Sequence, residues 1–293
     1  MVVLVTGANG QLGQAIQFIS GNYPQINFIF CSSSDLNITK KENCQEVFAK
    51  YQPNFCINAA AYTLVDKAEI EPDKAHLINV VGAKNLAEVC KETNATLLHV
   101  STDFVFDGDY SKLSHRSQLK GYNEEDIPNP TGVYGQTKLE GEKAIQETLE
   151  QHFIIRTSWV YSQFGNNFMK TMLQLASERD SISVVKDQIG SPTNAVDLAE
   201  VLVQISIAYN LKSSTYNLFG IYNFSNEGQC SWYDFAKKIF EVNNNTITLN
   251  PILSSQYPTL AKRPAFSVLD KSKIKNIFNL QINQWEDSLI KIK

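Results

Sequence analysis

Short apolar runs alternate with longer amphipathic stretches through the first half of the chain. "VVLVTG" (2–7), "NFIFCS" (27–32), "NFCINAA" (54–60), "ATLLHVST" (95–102) and "HFIIRTSWVY" (152–161) are strand-length apolar runs. Strands buried on both faces need such runs. Between them, "GQLGQAIQFIS" (10–20), "KENCQEVFAKY" (41–51) and "KAHLINVVGAKNLAEVCKET" (74–93) space their apolar residues as helices do. "VYGQTKLEGE" (133–142) reads as one more helix before the fifth strand. Strands separated by helices predict βαβ units with right-handed crossovers. The expected fold class is α/β: a Rossmann-type doubly wound parallel sheet with helices on both faces.

The second half is less regular. "NAVDLAEVLVQISIAYN" (194–210) and "SWYDFAKKIFEV" (231–242) are amphipathic helices, and "STYNLFG" (214–220) and "IYNFSN" (221–226) are short strands. "RPAFSVLDKSKIKNIF" (263–278) and the turns around Trp285 predict a packed C-terminal cap. No repeat, low-complexity tract or free linker interrupts the chain.

Composition narrows the partners. A net charge of −4 over 293 residues gives no reason to expect nucleic acid or an anionic membrane surface. No apolar run approaches the roughly 18 residues of a membrane span. The apolar start "MVVLVTGANG" runs into glycines without a basic flank or cleavage site, unlike a signal peptide. Five scattered cysteines without a CxxC predict reduced core residues and a cytoplasmic location. The four histidines lack ligand spacing, so no protein-built metal site is expected.

"TGANGQLG" carries Gly7, Gly10 and Gly13 between the first strand and the first helix. Gly7 permits the turn, Gly10 lets the backbone approach a pyrophosphate, and Gly13 allows close helix–strand packing. The helix N-terminus supplies free N–H donors and partial positive charge. A glycine turn kept only for packing is the bland alternative. Residues 1–162 are therefore expected to form mainly an NADP(H)-binding Rossmann domain. Residues 163–293 are expected to form mainly a smaller substrate-binding lobe, with some segments returning to the first domain. The second strand ends in "CSSS", with Asp35 only later, so no acid at the strand end would repel a 2′-phosphate, which tilts the cofactor towards NADPH, with NADH also admissible.

Thr102 ends the fourth strand, at the carboxyl edge where ligands bind in open α/β sheets. Tyr134 and Lys138 stand four apart on one helix face. Such i,i+4 polar pairs are usually solvated. A sharper reading is that the ammonium lowers the phenol pKa and makes it a usable acid. Tyr134 would then give a proton to a carbonyl oxygen as hydride reaches its carbon. Thr102 would add a second hydrogen bond to that oxygen, and Lys138 would also reach the nicotinamide ribose. The cofactor supplies the hard chemistry, so no metal or nucleophile is required.

The glycine loop with this Thr…Tyr-x-x-x-Lys set resembles the extended short-chain dehydrogenase/reductase family. "NAAAYTLVDKAE" (58–69), "STDFVFDG" (101–108), "NPTGVYGQTKLEGE" (129–142), "IIRTSWVY" (154–161), "DQIGSPT" (187–193) and "RPAFSVLD" (263–270) resemble, within it, the dTDP-4-dehydrorhamnose reductases. The resemblance implies reduction of the 4-keto group of dTDP-6-deoxy-L-lyxo-4-hexulose, in dTDP-rhamnose and polysaccharide biosynthesis. It implies that Gly10, Gln11 and Leu12 contact the cofactor phosphates, that Asn37 and Ile38 lie near the adenine, and that Ala61, Tyr62 and Thr63 line the nicotinamide half. It also implies that Thr102, Asp103 and Trp159 face the sugar nucleotide; a plain core aromatic is the bland reading of Trp159. Two departures stand out: "LNIT" where the family often has "LDIT", so Asn37 alters the adenine contact, and Phe104 where the family often has Tyr. Some relatives are metal-bridged homodimers, but their surface carboxylates do not transfer onto this chain by motif.

Dehydratases of the extended family place Asp-Glu after the threonine, whereas Asp103-Phe104 here cannot supply that acid–base pair. Three rival functions stay open on sequence alone. They are another nucleotide-sugar reductase, an epimerase using the same tyrosine, and a non-catalytic NADP-binding subunit of the methionine adenosyltransferase type.

Overall fold

The computed structural model describes residues 1–113, 121–211 and 218–292. Five strands come from the apolar runs of the first half: β1 (Val2–Thr6), β2 (Asn27–Cys31), β3 (Phe55–Asn58), β4 (Thr96–Thr102) and β5 (His152–Thr157). Four short ones follow: β6 (Val160–Tyr161), β7 (Ser181–Val185), β8 (Ile189–Gly190) and β9 (Thr193–Asn194). β10 (Gly220–Asn223), β11 (Cys230–Ser231) and β12 (Thr248–Ile252) complete the set. The central sheet runs β10-β5-β4-β3-β1-β2, and every neighbouring pair is parallel. Strand order reverses between β1 and β3, which opens a crevice at their carboxyl ends.

Side-chain alternation decides how the sheet is covered. Val3, Val5, Leu98, Phe153 and Ile155 point to one face, under helices α1 (Gln11–Ser20) and α8 (Ala195–Leu211). Leu4, Cys56, Leu97 and Ile154 point to the other, under α2 (Lys41–Tyr51), α5 (Gly82–Thr93) and α6 (Val133–Thr148). Each large apolar side chain buried there contributes about 1.5–3 kcal/mol. Two short helices, α3 (Val65–Ala68) and α4 (Pro72–His76), lead from β3 towards α5.

Helix α7 (Phe168–Glu178), helix α9 (Trp232–Val242) and the parallel β7–β12 pair enclose a separate core around Phe235, Ile239 and Trp285. α10 (Ser272–Phe278) lies along β10, and α11 (Trp285–Ile290) closes on α9. Ser231 and Asp234 form a reciprocal capping box that starts α9. No described helix is long and apolar enough to cross a membrane.

Two elements differ from the sequence reading. The stretch 74–93 is not one helix: α4 and α5 are joined by a π turn, Leu77–Val81. Asn79 in that turn is buried and bonds both the N–H and C=O of Tyr62, so the turn faces a side chain inward at the cost of regular helix. The stretch 152–161 breaks at Trp159, whose φ of 47° lies in the left-handed region. The chain therefore leaves the central sheet after Thr157, and β6 pairs with β9 instead. Most of "STYNLFG" lies outside the described residues.

Candidate active site

The crevice at the reversal point is a cleft of about 720 Å³. Gly10, Gln11 and Leu12 line one end of it, Ala61 and Thr63 the wall after β3, and Thr102, Asp103, Tyr134 and Lys138 the floor. Trp159 closes the end towards the C-terminal lobe. These expected site residues, scattered from 10 to 159, thus meet in one cavity.

The loop after β1 is built from backbone. Gly7 has φ 64°, and a Cβ there would sit 2.8 Å from the Ala60 nitrogen, so only glycine fits the turn. Gly10 is the N-cap of α1 and offers no side-chain cap, and no acid occupies the first turn. The first N–H groups of α1 are left for a ligand at the mouth of the cleft. This donor set fits an anionic diphosphate. The Gln11 side chain does not contribute to it. Its amide donates to the Val160 carbonyl and accepts from Asn167, tying the loop to the second lobe.

Four expected cofactor residues stay out of the lining. Gly7 acts through its turn. Tyr62 is buried, with its hydroxyl on Glu71. Ile38 is buried against Gly82, and Asn37 folds its side chain onto Thr39. The end of β2 is also not free of acid. Asp35 returns its carboxylate to Ser32, accepting from both the N–H (2.9 Å) and the hydroxyl (2.5 Å). Reading "CSSS" as an acid-free edge is corrected by that turn, which brings a residue three positions on back to the strand end.

The reaction centre depends on α6. Its Gly135 packs on the turn after β4, where a Cβ would lie 2.2 Å from the Phe104 carbonyl oxygen. That contact presses the first turn of the helix against the strand end and brings Tyr134 to Thr102. Glu142, two turns on, holds Arg156 of β5 through Nε (3.0 Å) and an Nη (2.6 Å), both side chains being buried. Removing either partner would strand a buried charge, at about 3–5 kcal/mol. The ring of Phe104 meets Tyr134 edge-on at 5.5 Å, so Phe104 is a wall for the phenol.

Burial has the largest influence on the Tyr134 phenol. Burial pushes the phenol up to about 12, and the Thr102 hydroxyl offsets this only in part. Lys138 shares the helix face, donates its Nζ to the Val100 carbonyl (2.7 Å) and meets His99 Nε2 at 3.1 Å. Burial lowers Lys138 to about 8. The pair is not solvated: both groups are buried because α6 lies against β4. Burial likewise raises the Asp103 carboxyl to about 6, although it accepts from the Thr102 hydroxyl. A phenol that keeps its proton at neutral pH is suited to giving that proton away in a reduction.

The sugar-side wall contains residues that the sequence reading missed. Trp159 stacks on Trp232 at 3.6 Å and 9°, and Phe168 leans on Trp232 at 4.5 Å. Asn166, Asn167 and Arg263 also line this end. Arg263 is held in a two-pronged pair with Asp66 (3.1 and 2.7 Å). A Trp at the first position of an amphipathic helix, half-buried rather than in its apolar stripe, is the one available signal for Trp232.

Comparison with known proteins agrees with this geometry. The dTDP-4-dehydrorhamnose reductase of Aggregatibacter actinomycetemcomitans is 42% identical over 99% of this chain and 98% of its own. The solved structure of a dTDP-4-dehydrorhamnose reductase from Clostridium acetobutylicum superposes with a TM-score of 0.90 at 37% identity, covering 100% of this chain and 98% of that one. The corresponding protein from Bacillus anthracis, solved in complex with NADP, gives a TM-score of 0.89 at 39% identity, covering 99% and 98%. The model of the RmlD substrate binding domain matches residues 1–292, and the chain belongs to that family, the dTDP-4-dehydrorhamnose reductases.

Proposed function

We propose that the protein reduces the 4-keto group of dTDP-6-deoxy-L-lyxo-4-hexulose (dTDP-4-dehydro-L-rhamnose) to dTDP-L-rhamnose, using NADPH. The observation that carries this reading is the convergence of Thr102, Tyr134 and Lys138 on the floor of a cleft whose other end is an uncapped helix N-terminus. NADPH is supported by the NADP bound to the Bacillus anthracis relative. When bound, the cofactor supplies the hydride. The residues of this chain do the rest. The start of α1 binds diphosphate. Tyr134 holds a proton that it gives to the carbonyl oxygen. Thr102 gives its hydroxyl to Asp103 in the cofactor-free protein and turns it to that carbonyl oxygen when the sugar binds. Lys138 stands behind Tyr134 and reaches the nicotinamide ribose. The Trp159–Trp232 stack presents a flat apolar wall to the sugar nucleotide. We assign residues 1–162 mainly to cofactor binding and 163–293 mainly to the substrate lobe, with α8 and β10 returning to the sheet. A cytoplasmic location fits the five free, buried cysteines.

An epimerase would need no net consumption of NADPH. Mixing the protein with NADPH and the dTDP-4-keto-6-deoxy sugar, and following nicotinamide absorbance, separates the two. Stoichiometric loss is the expected result. Sugar-dependent isomerisation without that loss would replace the reductase reading.

A further inference from the structure

The helix that carries Tyr134 has no cap of its own. Gly132 is the N-cap of α6 and has no side chain to accept from the first turn, which also holds no acid. The first N–H groups of a helix have no partner within it, so another segment must supply one. Here that segment lies 64 positions away. Glu69, directly after α3, accepts the Val133 N–H through Oε1 at 2.8 Å. Val133 is the first residue of α6 and Tyr134 the second. A carboxylate suits this place twice: it is a strong acceptor, and it faces the positive end of the helix dipole.

The surroundings are shaped to that contact. A Cβ on Gly132 would lie 2.7 Å from the same Oε1, and its only other near neighbour would be Glu69 Cδ at 3.8 Å. Gly132 has φ −149° and ψ 167°, an extended backbone that any residue adopts. Its missing side chain thus serves the approach of the carboxylate and not the backbone. The segment bearing Glu69 is itself anchored. Ala68 is buried with Tyr62 and Ala75, and Val133 and Tyr134 pack against this cluster. Asp66 of α3 accepts from the Ala261 N–H at 3.0 Å and from Arg263. Glu69 does not line the cleft, whereas Val65 and Tyr134 do.

We propose that Glu69 is a positioning residue for the reductase site: its carboxylate caps α6 at Val133 and fixes the first turn, and with it the direction of the Tyr134 hydroxyl. The proposal rests on the reductase reading for its consequence in turnover. Tyr134 is then held from three sides, by the cap at Val133, by Gly135 against the Phe104 carbonyl and by the Phe104 ring. Without the cap the first turn frays and the phenol is misaligned, which slows proton donation more than it weakens binding.

The test combines Glu69→Ala, Glu69→Gln, Gly132→Ala and the Gly132→Ala/Glu69→Ala double variant. With NADPH and the dTDP-4-keto-6-deoxy sugar, Glu69→Ala is expected to lose about tenfold in kcat, with KM and NADPH affinity kept within about twofold. Glu69→Gln, whose amide oxygen can accept the N–H, should recover most of that loss. Gly132→Ala pushes the carboxylate off Val133, so it should lower kcat as Glu69→Ala does and add little to it in the double variant. Normal turnover by Glu69→Ala, a Gln variant no better than Ala, or additive losses overturns the proposal. If Glu69→Ala does not fold, Gly132→Ala against wild type still decides. Amide exchange of Val133, followed by NMR without substrate, should quicken about tenfold in Gly132→Ala and in Glu69→Ala. Unchanged exchange in both also overturns the cap. Exchange needs no sugar, so its failure is told apart from a failure of the reductase reading, in which the wild-type protein itself would not reduce the sugar.

Discussion

The two ends of the cleft are built on different principles. The cofactor end is made of backbone at the start of α1 and of polar side chains locked into the sheet: Asn58, His99 and Lys138 meet at 3.0 and 3.1 Å, and Lys138 is tied to the Val100 carbonyl at 2.7 Å. The sugar end is made of exposed faces of aromatic rings and one guanidinium, contributed by segments that meet only after the second lobe has formed. A rigid end can place a proton and a hydride donor within the short distances that chemistry requires. A stacked, apolar end recognises a sugar nucleotide by surface and tolerates adjustment. Substitutions at the first end should therefore change kcat, and substitutions at the second should change KM.

The largest effect is expected at Tyr134. Tyr134→Phe removes one hydroxyl and keeps the ring against Phe104. Turnover should fall by roughly 10²–10⁴, the usual worth of a positioned acid. Cofactor affinity, read by nucleotide fluorescence, should stay near wild type, marking an interaction made mainly in the transition state. A variant that turned over at the normal rate would remove the phenol from the mechanism.

Lys138→Met should behave differently, because the amine is tied to the strand as well as to the cofactor end. We expect kcat and NADPH affinity to fall together, each by about 10- to 100-fold, as for loss of one charge-assisted hydrogen bond. Loss of turnover with unchanged NADPH binding would show that the lysine acts on the tyrosine alone.

Trp232→Ala tests the other end. The KM for the sugar nucleotide should rise about 3- to 10-fold, the worth of an aromatic stack, with kcat and NADPH affinity kept. A fall in kcat without a change in KM would break the contrast between the two ends.

Asp103 gives a smaller effect with a defined sign. Its carboxyl is raised from 3.8 to about 6 by burial, so between those values the folded chain binds the proton more tightly than the unfolded one. Stability contributed by this group is therefore present at low pH and lost as pH rises from about 4 to 6. Asp103→Asn should raise Tm at pH 7 by roughly 3–6 °C while reducing activity, and the gain should fade below about pH 4. A gain that persisted at pH 3.5 would point to packing instead of charge. The smallest effect is expected from Phe104→Glu assayed as a dehydratase with dTDP-glucose and NAD. It restores an Asp-Glu pair but sets the carboxylate against Tyr134, and no 4-keto product should accumulate. Substantial product would show that position 104 alone divides the two chemistries.

The cofactor end is legible in the sequence because its determinants are local. The glycine turn after β1 and the four-residue step from Tyr134 to Lys138 are spacings within single elements. What those spacings cannot convey is depth. The step of four is the same on a solvated and on a buried helix face, and the close approaches of Gly135 to Phe104 and of Gly141 to Asn79 bury this one. Hence spacing alone does not show the burial that raises Tyr134. The sugar end is nearly illegible because its pairs are distant: Asp66 and Arg263 are 197 positions apart, and Gln11 reaches Asn167 across 156. Trp159 emerges only through resemblance, and Trp232 does not emerge at all. The Asp35 carboxylate is misplaced for the opposite reason, since a tight turn folds it back onto Ser32 within three residues. The π turn at Leu77–Val81 is tied to the contact of Asn79 with Tyr62, 17 positions away, which the apolar period does not carry.

The most direct test of the central claim, hydride addition at C4 of the sugar with proton donation by Tyr134, uses NADPH deuterated on the transferred position. The wild-type product, isolated and examined by proton NMR, should carry deuterium at C4 and nowhere else, formed in step with the loss of nicotinamide absorbance and all but absent with Tyr134→Phe. Deuterium at another carbon, or a product free of it, would contradict reduction at C4, and undiminished deuterium transfer by Tyr134→Phe would contradict the role of the phenol.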